Sequence, residues 1–201
     1  MYTLALDHFE KNDPILFEVS KNTEPFELEI HPYPFIRLLR SIVGQQLSVK
    51  AASTIFGRFE NLFENKNITP TGLLKITDDN LRSAGISYQK ISYLKDFANK
   101  IVDGEVVLEK FALLENEEVI VELTKIKGVG RWTAEMYLMS TLARPDIFSY
   151  GDLGLQNAIK KHYGMKNKPT IKQMEKLSKK WSPFRTYAAR ILWKSLENNP
   201  I

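Results

Sequence analysis

An all-α fold is predicted for these 201 residues by three observations. Apolar residues recur at three- and four-residue intervals through most of the chain, the period of a helix buried on one side. Ser, Thr, Asp and Pro stand repeatedly just ahead of those stretches, where helices begin. Alternating patterns are almost absent, and only 27–30 reads as extended. The length suits one domain, or two small ones sharing a cleft.

In chain order, Asp13 and Pro14 open the first clear helix, Asp as N-cap and Pro at the first helical position. His31, Pro32 and Pro34 form a connector, and neither His8 nor His31 has ligand-like partners at useful spacing. A helix follows at 35–43 and is broken by Gly44-Gln45-Gln46-Leu47. Ser48 caps the next one, whose stripe of Val49, Ala52, Ile55, Phe56, Phe59 and Phe63 belongs in a core. Thr69-Pro70 and Thr77 open two short elements, Gly85 ends the second, and Ser87 starts a helix with Ile91, Leu94, Phe97, Ala98 and Ile101 on one face. Asn116 reads as the N-cap of EEVIVELTKI. The helix from Trp132 stops by Arg144, because Pro145 disfavours helical geometry in the residue before it. An irregular loop then delivers Asp152 to the head of LGLQNAIKKHY, and two more helices follow, from Thr170 to about Lys180 and from Ser182-Pro183 to about Leu196.

The stretch 123–152 organises the rest. Gly128 and Gly130 flank Val129, a spacing that permits positive φ and close backbone approach. Arg131, Trp132 and Thr133 open the following helix, so the turn presents amides at the positive end of a helix dipole, where phosphate oxygens bind. Charge agrees with an anionic partner. The formal net charge is +4, but 153–194 holds 11 Lys and Arg against the single acid Glu175, leaving 17 basic and 23 acidic residues elsewhere. Such an excess beside a phosphate-binding turn attracts nucleic acid by releasing counterions. The sequence contains no cysteine, which excludes disulfides, thiolate metal sites and an iron–sulfur cluster. The start lacks the pattern of a signal peptide and no apolar run reaches the length of a bilayer span, so an intracellular protein, cytoplasmic or nucleoid-associated, is expected.

With its glycine turn, loop and Asp152, the stretch resembles the helix-hairpin-helix of the DNA glycosylase superfamily, in which a Gly/Pro-rich loop and a catalytic Asp follow the hairpin. It is most similar to the alkylbase branch, the DNA-3-methyladenine glycosylase II family. SIVGQQLSVKAA at 41–52, LRSAGISYQKISYLKDFA at 81–98 and WSPFRTYAARILW at 181–193 resemble that family's segments in the same order. The resemblance implies two small helical subdomains flanking an active-site cleft, within one unit spanning 1–201. The expected sublobes are 34–115, carrying a wedge, and 1–33 plus 116–201, carrying the hairpin, the Asp and the basic helices.

By the same resemblance Asp152 is the catalytic residue, 22 positions beyond Gly130, with Asp146 as its rival in the same loop. On its own residues Asp152 reads first as an ordinary helix cap, and it is the resemblance that makes it catalytic. Gln46, with Leu47 beside it, matches the wedge that fills the gap left by an extruded nucleotide. Trp132, Met136 and Trp193 match the base pocket; Met136 stands where a well-known relative has Tyr. Phe148, Tyr137, Tyr150 and Trp181 are core or additional pocket aromatics. Gly128, Val129, Gly130, Arg131, Thr133, Lys125 and Lys127 match the DNA-binding hairpin, and Lys90 and Tyr88 are either further DNA contacts or parts of a plain helix pair. Main-chain carbonyls of Thr124, Ile126 and Val129 match a site for Na+ or K+. Relatives that cut the strand carry a lysine two residues after the second glycine; here that residue is Trp132, so no lyase activity is expected.

The implied activity is monofunctional excision of 3-methyladenine and 7-methylguanine from damaged double-stranded DNA, leaving an abasic site, by a monomer that requires no cofactor. Two alternatives stand beside it: a glycosylase for hypoxanthine or uracil, and a non-catalytic lesion-binding hairpin protein.

Overall fold

The computed structural model describes residues 1–197, and all their regular structure is helical. Twelve α-helices follow in order: α1 (Tyr2–Asn12), α2 (Pro14–Ser20), α3 (Pro34–Gly44), α4 (Val49–Glu60), α5 (Pro70–Lys75), α6 (Asp78–Ser83), α7 (Tyr88–Val102), α8 (Asn116–Thr124), α9 (Arg131–Ser140), α10 (Leu153–His162), α11 (Ile171–Ser178) and α12 (Arg185–Glu197). No strand forms at 27–30. No helix among the described residues is long and apolar enough to cross a membrane.

The caps read from sequence hold in detail. Side chains of Asp13, Ser48, Thr69, Thr77, Ser87 and Thr170 each accept the amide three residues on, satisfying a donor that the first helical turn leaves without a partner. Four features differ from expectation, the first being that α12 begins at Arg185 and not at Ser182-Pro183. Glu115, not Asn116, caps α8, because Glu115 and Glu118 form a reciprocal capping box. α9 ends at Ser140, four residues short of Arg144: Ala143 turns left-handed (φ 54°) and the Arg144 amide reaches back to the Leu138 carbonyl at 3.0 Å, a six-residue closure that stops the helix before Pro145 acts. α1 precedes the first predicted helix, burying Tyr2, Ala5 and Phe9 along one stripe without a side-chain cap.

The chain forms two units, Met1–Ile30 with the segment from Leu138 onward, and His31–Tyr137. In the first, α1, α2, α10, α11 and α12 surround Leu16, Phe9, Leu155, Ile159, Trp181, Tyr187 and Leu192, all buried. In the second, α3 to α8 bury Leu38, Leu39, Phe56, Phe59, Leu73, Leu94 and Phe97. The expected sublobe boundary is displaced: the hairpin belongs with the central helices and not with the C-terminal ones. Its turn is tied there because the Gln45 side chain donates to the Gly128 carbonyl (2.8 Å), Asp96 accepts the Lys127 amide (2.8 Å), and the Tyr93 ring lies where a Cβ on Gly128 would stand.

Candidate active site

Asp152 lies at the head of α10, within the first unit, and is only 9% exposed. Its Oδ1 accepts two bonds, from the Leu155 amide at 2.8 Å and from the Trp193 indole N–H at 2.9 Å. The first is the cap foreseen from sequence. The second changes the part expected of Trp193: its N–H on α12 fixes the carboxylate, whatever its ring face contributes to a pocket. Sequence reasoning passed over Gly154, whose need for glycine is now evident. A Cβ there would stand 3.0 Å from Asp152 Oδ1 and 3.1 Å from Trp193 Cδ1, crowding the bond between them.

A carboxylate held this way meets three donors of negative-charge stabilisation: a backbone amide, an indole N–H and the positive end of a helix. It can hold fixed negative charge without reorganising, which suits stabilisation of a cationic centre. Replacing Trp193 by Phe keeps the ring and removes the N–H. Base release from methylated DNA should fall about 10- to 100-fold, since small misplacements of a reacting group are this costly, while single-turnover assays beside binding titrations show affinity within about twofold.

Asp146 takes a structural part. Arg185 Nε donates to its Oδ1 at 2.7 Å and Ser182 Oγ to its Oδ2 at 2.8 Å, joining the loop to the start of α12. Burial opposes its ionisation, yet the bonds from Arg185 and Ser182 outweigh that and hold its carboxyl below the ordinary range. Phe148, Tyr137 and Trp181 are buried as core residues; Phe148 packs on Trp181 with ring centres 5.2 Å apart, and Tyr150 meets the edge of Phe148.

In the second unit the hairpin turn has one left-handed glycine, Gly128 (φ 78°). Gly130 has no such φ, and a Cβ there would meet nothing, so this glycine leaves an open approach to the backbone and does not serve a strained turn. Val129 and Thr133 are buried, so they offer only main-chain groups to a ligand.

Residues 39–184 match the HhH-GPD superfamily of base excision DNA repair proteins. The chain belongs to that superfamily. The DNA-3-methyladenine glycosylase 1 of Schizosaccharomyces pombe is 35% identical over 194 residues, which cover 96% of this chain and 85% of that protein. Among solved structures, the DNA-3-methyladenine glycosidase of Bacillus halodurans aligns with a TM-score of 0.87 at 37% identity, covering 96% of this chain and 89% of that one. The S. pombe 3-methyladenine DNA glycosylase in complex with abasic DNA aligns with a TM-score of 0.82 at 35% identity, covering 94% and 95%.

Within this member of the HhH-GPD superfamily the remaining expected residues divide sharply. Arg131 and Lys125 are not free charges: Arg131 donates to both Glu117 oxygens (2.5 and 3.0 Å) and to Glu135 (3.0 Å), and Lys125 pairs with Glu122 at 2.6 Å. Arg131 therefore ties α8 to α9, a part that its neighbours in sequence did not disclose. Lys127 is exposed. Trp132 is 48% exposed on α9 and Met136 is half-buried there. Gln46 is exposed in a left-handed conformation (φ 58°) and Leu47 is 38% exposed beside it. Lys90 makes internal bonds, while Tyr88 is exposed under the Arg82 guanidinium. Of the 11 cations at 153–194, Arg185 serves Asp146 and both Arg190 and Lys194 sit over the Phe26 ring, whereas the eight lysines from Lys160 to Lys180 are exposed.

Proposed function

We propose that this chain is a monofunctional DNA glycosylase that extrudes an alkylated purine nucleotide from duplex DNA and hydrolyses its N-glycosidic bond, leaving an abasic site. The observation that carries the reading is Asp152, buried at the head of α10 with Oδ1 fixed by Leu155 and Trp193. As the bond to the base lengthens, its electron pair leaves with the purine and positive charge gathers on the deoxyribose. A fixed carboxylate beside the anomeric carbon stabilises that charge, and it orients the water that attacks there. A 3-methyladenine or 7-methylguanine base is already cationic and leaves neutral, so the site needs no strong general acid.

In the second unit the hairpin main chain of Gly128 to Arg131 takes phosphates without reading sequence, and in the first the exposed lysines of α10, α11 and the segments around them do the same. Gln46 and Leu47 enter the stack as the nucleotide leaves it. Trp132 and Met136 on α9 offer aromatic and sulfur surface to the base. Aromatic contact favours a cationic purine by on the order of 1–2 kcal/mol when desolvated. Trp132 in place of a lysine removes the amine that a Schiff-base lyase step needs. The carbonyls of Thr124, Ile126 and Val129 suit a hard monovalent cation in donor chemistry; the Ile126 oxygen also accepts the Val129 amide at 3.1 Å, so such an ion would support the turn's shape and no chemical step.

Duplex oligonucleotides carrying a single 7-methylguanine, hypoxanthine or uracil test the substrate class. Release of 7-methylguanine at least about tenfold faster than the deaminated bases is expected, as one desolvated cation–π contact supplies that much. Release of hypoxanthine or uracil with 7-methylguanine left in place would overturn the assignment.

A further inference from the structure

α7 carries Lys90, Tyr93 and Asp96 at three-residue steps, and each holds a turn that belongs to another part of the chain. Lys90 Nζ donates to the carbonyls of Val43 and Gln45, both at 2.7 Å. These lie at the end of α3, where helical carbonyls lack internal partners. Tyr93 covers Gly128 and Asp96 accepts the Lys127 amide at 2.8 Å. Gln45 closes the circuit, its side-chain amide donating to the Gly128 carbonyl at 2.8 Å. Burial pushes the Lys90 ammonium below the ordinary lysine range, so its place against carbonyls is retained at a desolvation cost that a surface lysine would not meet.

The Gln45 carbonyl belongs to the rigid peptide plane that leads directly into Gln46. Gln46 is a non-glycine residue at φ 58°, a conformation that persists only when its surroundings fix it. We propose that Lys90 is a positioning residue for nucleotide extrusion: by holding the Gln45 peptide it sets Gln46 for insertion, and through Gln45 it keeps the wedge turn at a fixed spacing from the hairpin turn. One helix face thus gauges the distance between two DNA contacts. The meaning of the wedge rests on the glycosylase reading above; the brace itself rests on the bonds alone.

Four variants test it: Lys90→Met, Lys90→Arg, Gln46→Ala and the Lys90→Met/Gln46→Ala pair. The first readout is single-turnover release of 7-methylguanine from duplex DNA. The second is the fluorescence rise of 2-aminopurine next to an abasic site on binding, which reports unstacking. Lys90→Met should lose about tenfold in rate, the worth of a charged hydrogen bond, and most of the fluorescence rise. Lys90→Arg should restore most of both. The double variant should be no slower than the slower single one, since two residues acting as a unit do not add. Losses that multiply, or an Arg variant as impaired as Met, overturn the proposal. If Lys90→Met does not fold, Gln45→Ala, which cuts only the link to Gly128, carries the test: a wild-type fluorescence rise and rate overturn it, and a loss of about threefold or more supports it. If the parent protein releases no methylpurine, the glycosylase reading fails, while the 2-aminopurine signal still decides the brace.

Discussion

Asp152→Asn is expected to bind methylated duplex DNA as tightly as the parent protein and to release base about a thousandfold more slowly. Asn has nearly the same shape, caps helices as well as Asp does, and still offers an oxygen to the Leu155 amide and the Trp193 N–H. The fold and the site's geometry therefore survive and only the charge is lost. If Asp152 merely caps α10, the same variant should turn over at nearly the parent rate. Single-turnover release, a binding titration and a melting curve on one preparation separate the two outcomes. A large fall in binding or melting temperature alongside the rate would assign Asp152 to structure.

Asp13→Ala should destabilise the first unit by about 3–5 kcal/mol. Asp13 is 2% exposed and accepts three bonds: from the Leu16 amide (3.2 Å), the Tyr163 hydroxyl (2.8 Å) and the Trp181 indole N–H (2.8 Å). Alanine removes a cap and leaves two buried donors without their partner, and each such orphan costs about 1–3 kcal/mol. For a chain of this size the melting midpoint should fall by about 10 °C. Asp13→Asn, which keeps an oxygen for Leu16 but turns an amide NH2 toward the indole N–H and the hydroxyl, should cost nearly as much; a loss less than half that of alanine would show that the indole and hydroxyl bonds contribute little. Both can be read from thermal and urea unfolding followed by tryptophan fluorescence, which senses Trp181 directly.

Much of this architecture was legible because helix starts are local chemistry. Thr69, Thr77, Ser87 and Asp152 each bond to an amide three residues ahead, so a short window of sequence contains both partners. What stayed hidden depends on partners far apart in the chain. Trp193 reaches Asp152 across 41 residues and Lys90 reaches Val43 across 47, and neither separation leaves a periodic trace. The acceptors of Lys90 are main-chain carbonyls, which carry no side-chain signature at all. Glu117 is 14 residues from Arg131, and only the antiparallel return of the hairpin brings the two together, so Arg131 looked available for phosphate. Gly154 reads as an indifferent helix residue until the bond that its missing Cβ leaves room for is seen. The hairpin's allegiance to α3 and α7 was hidden for the same reason, since Gln45, Tyr93 and Asp96 approach it from 31 or more residues away.

Hydrolysis of a methylpurine glycosidic bond without strand cleavage is tested most directly by product accounting. Methylated duplex DNA is incubated with excess protein, and free 3-methyladenine and 7-methylguanine, abasic sites and cut strands are measured in the same samples, with borohydride added to a parallel set. Equal amounts of free base and abasic sites, strands intact until alkali, and no borohydride-trapped adduct are predicted. Strand cleavage with a trapped protein–DNA adduct, or binding with no free methylpurine at all, would contradict it.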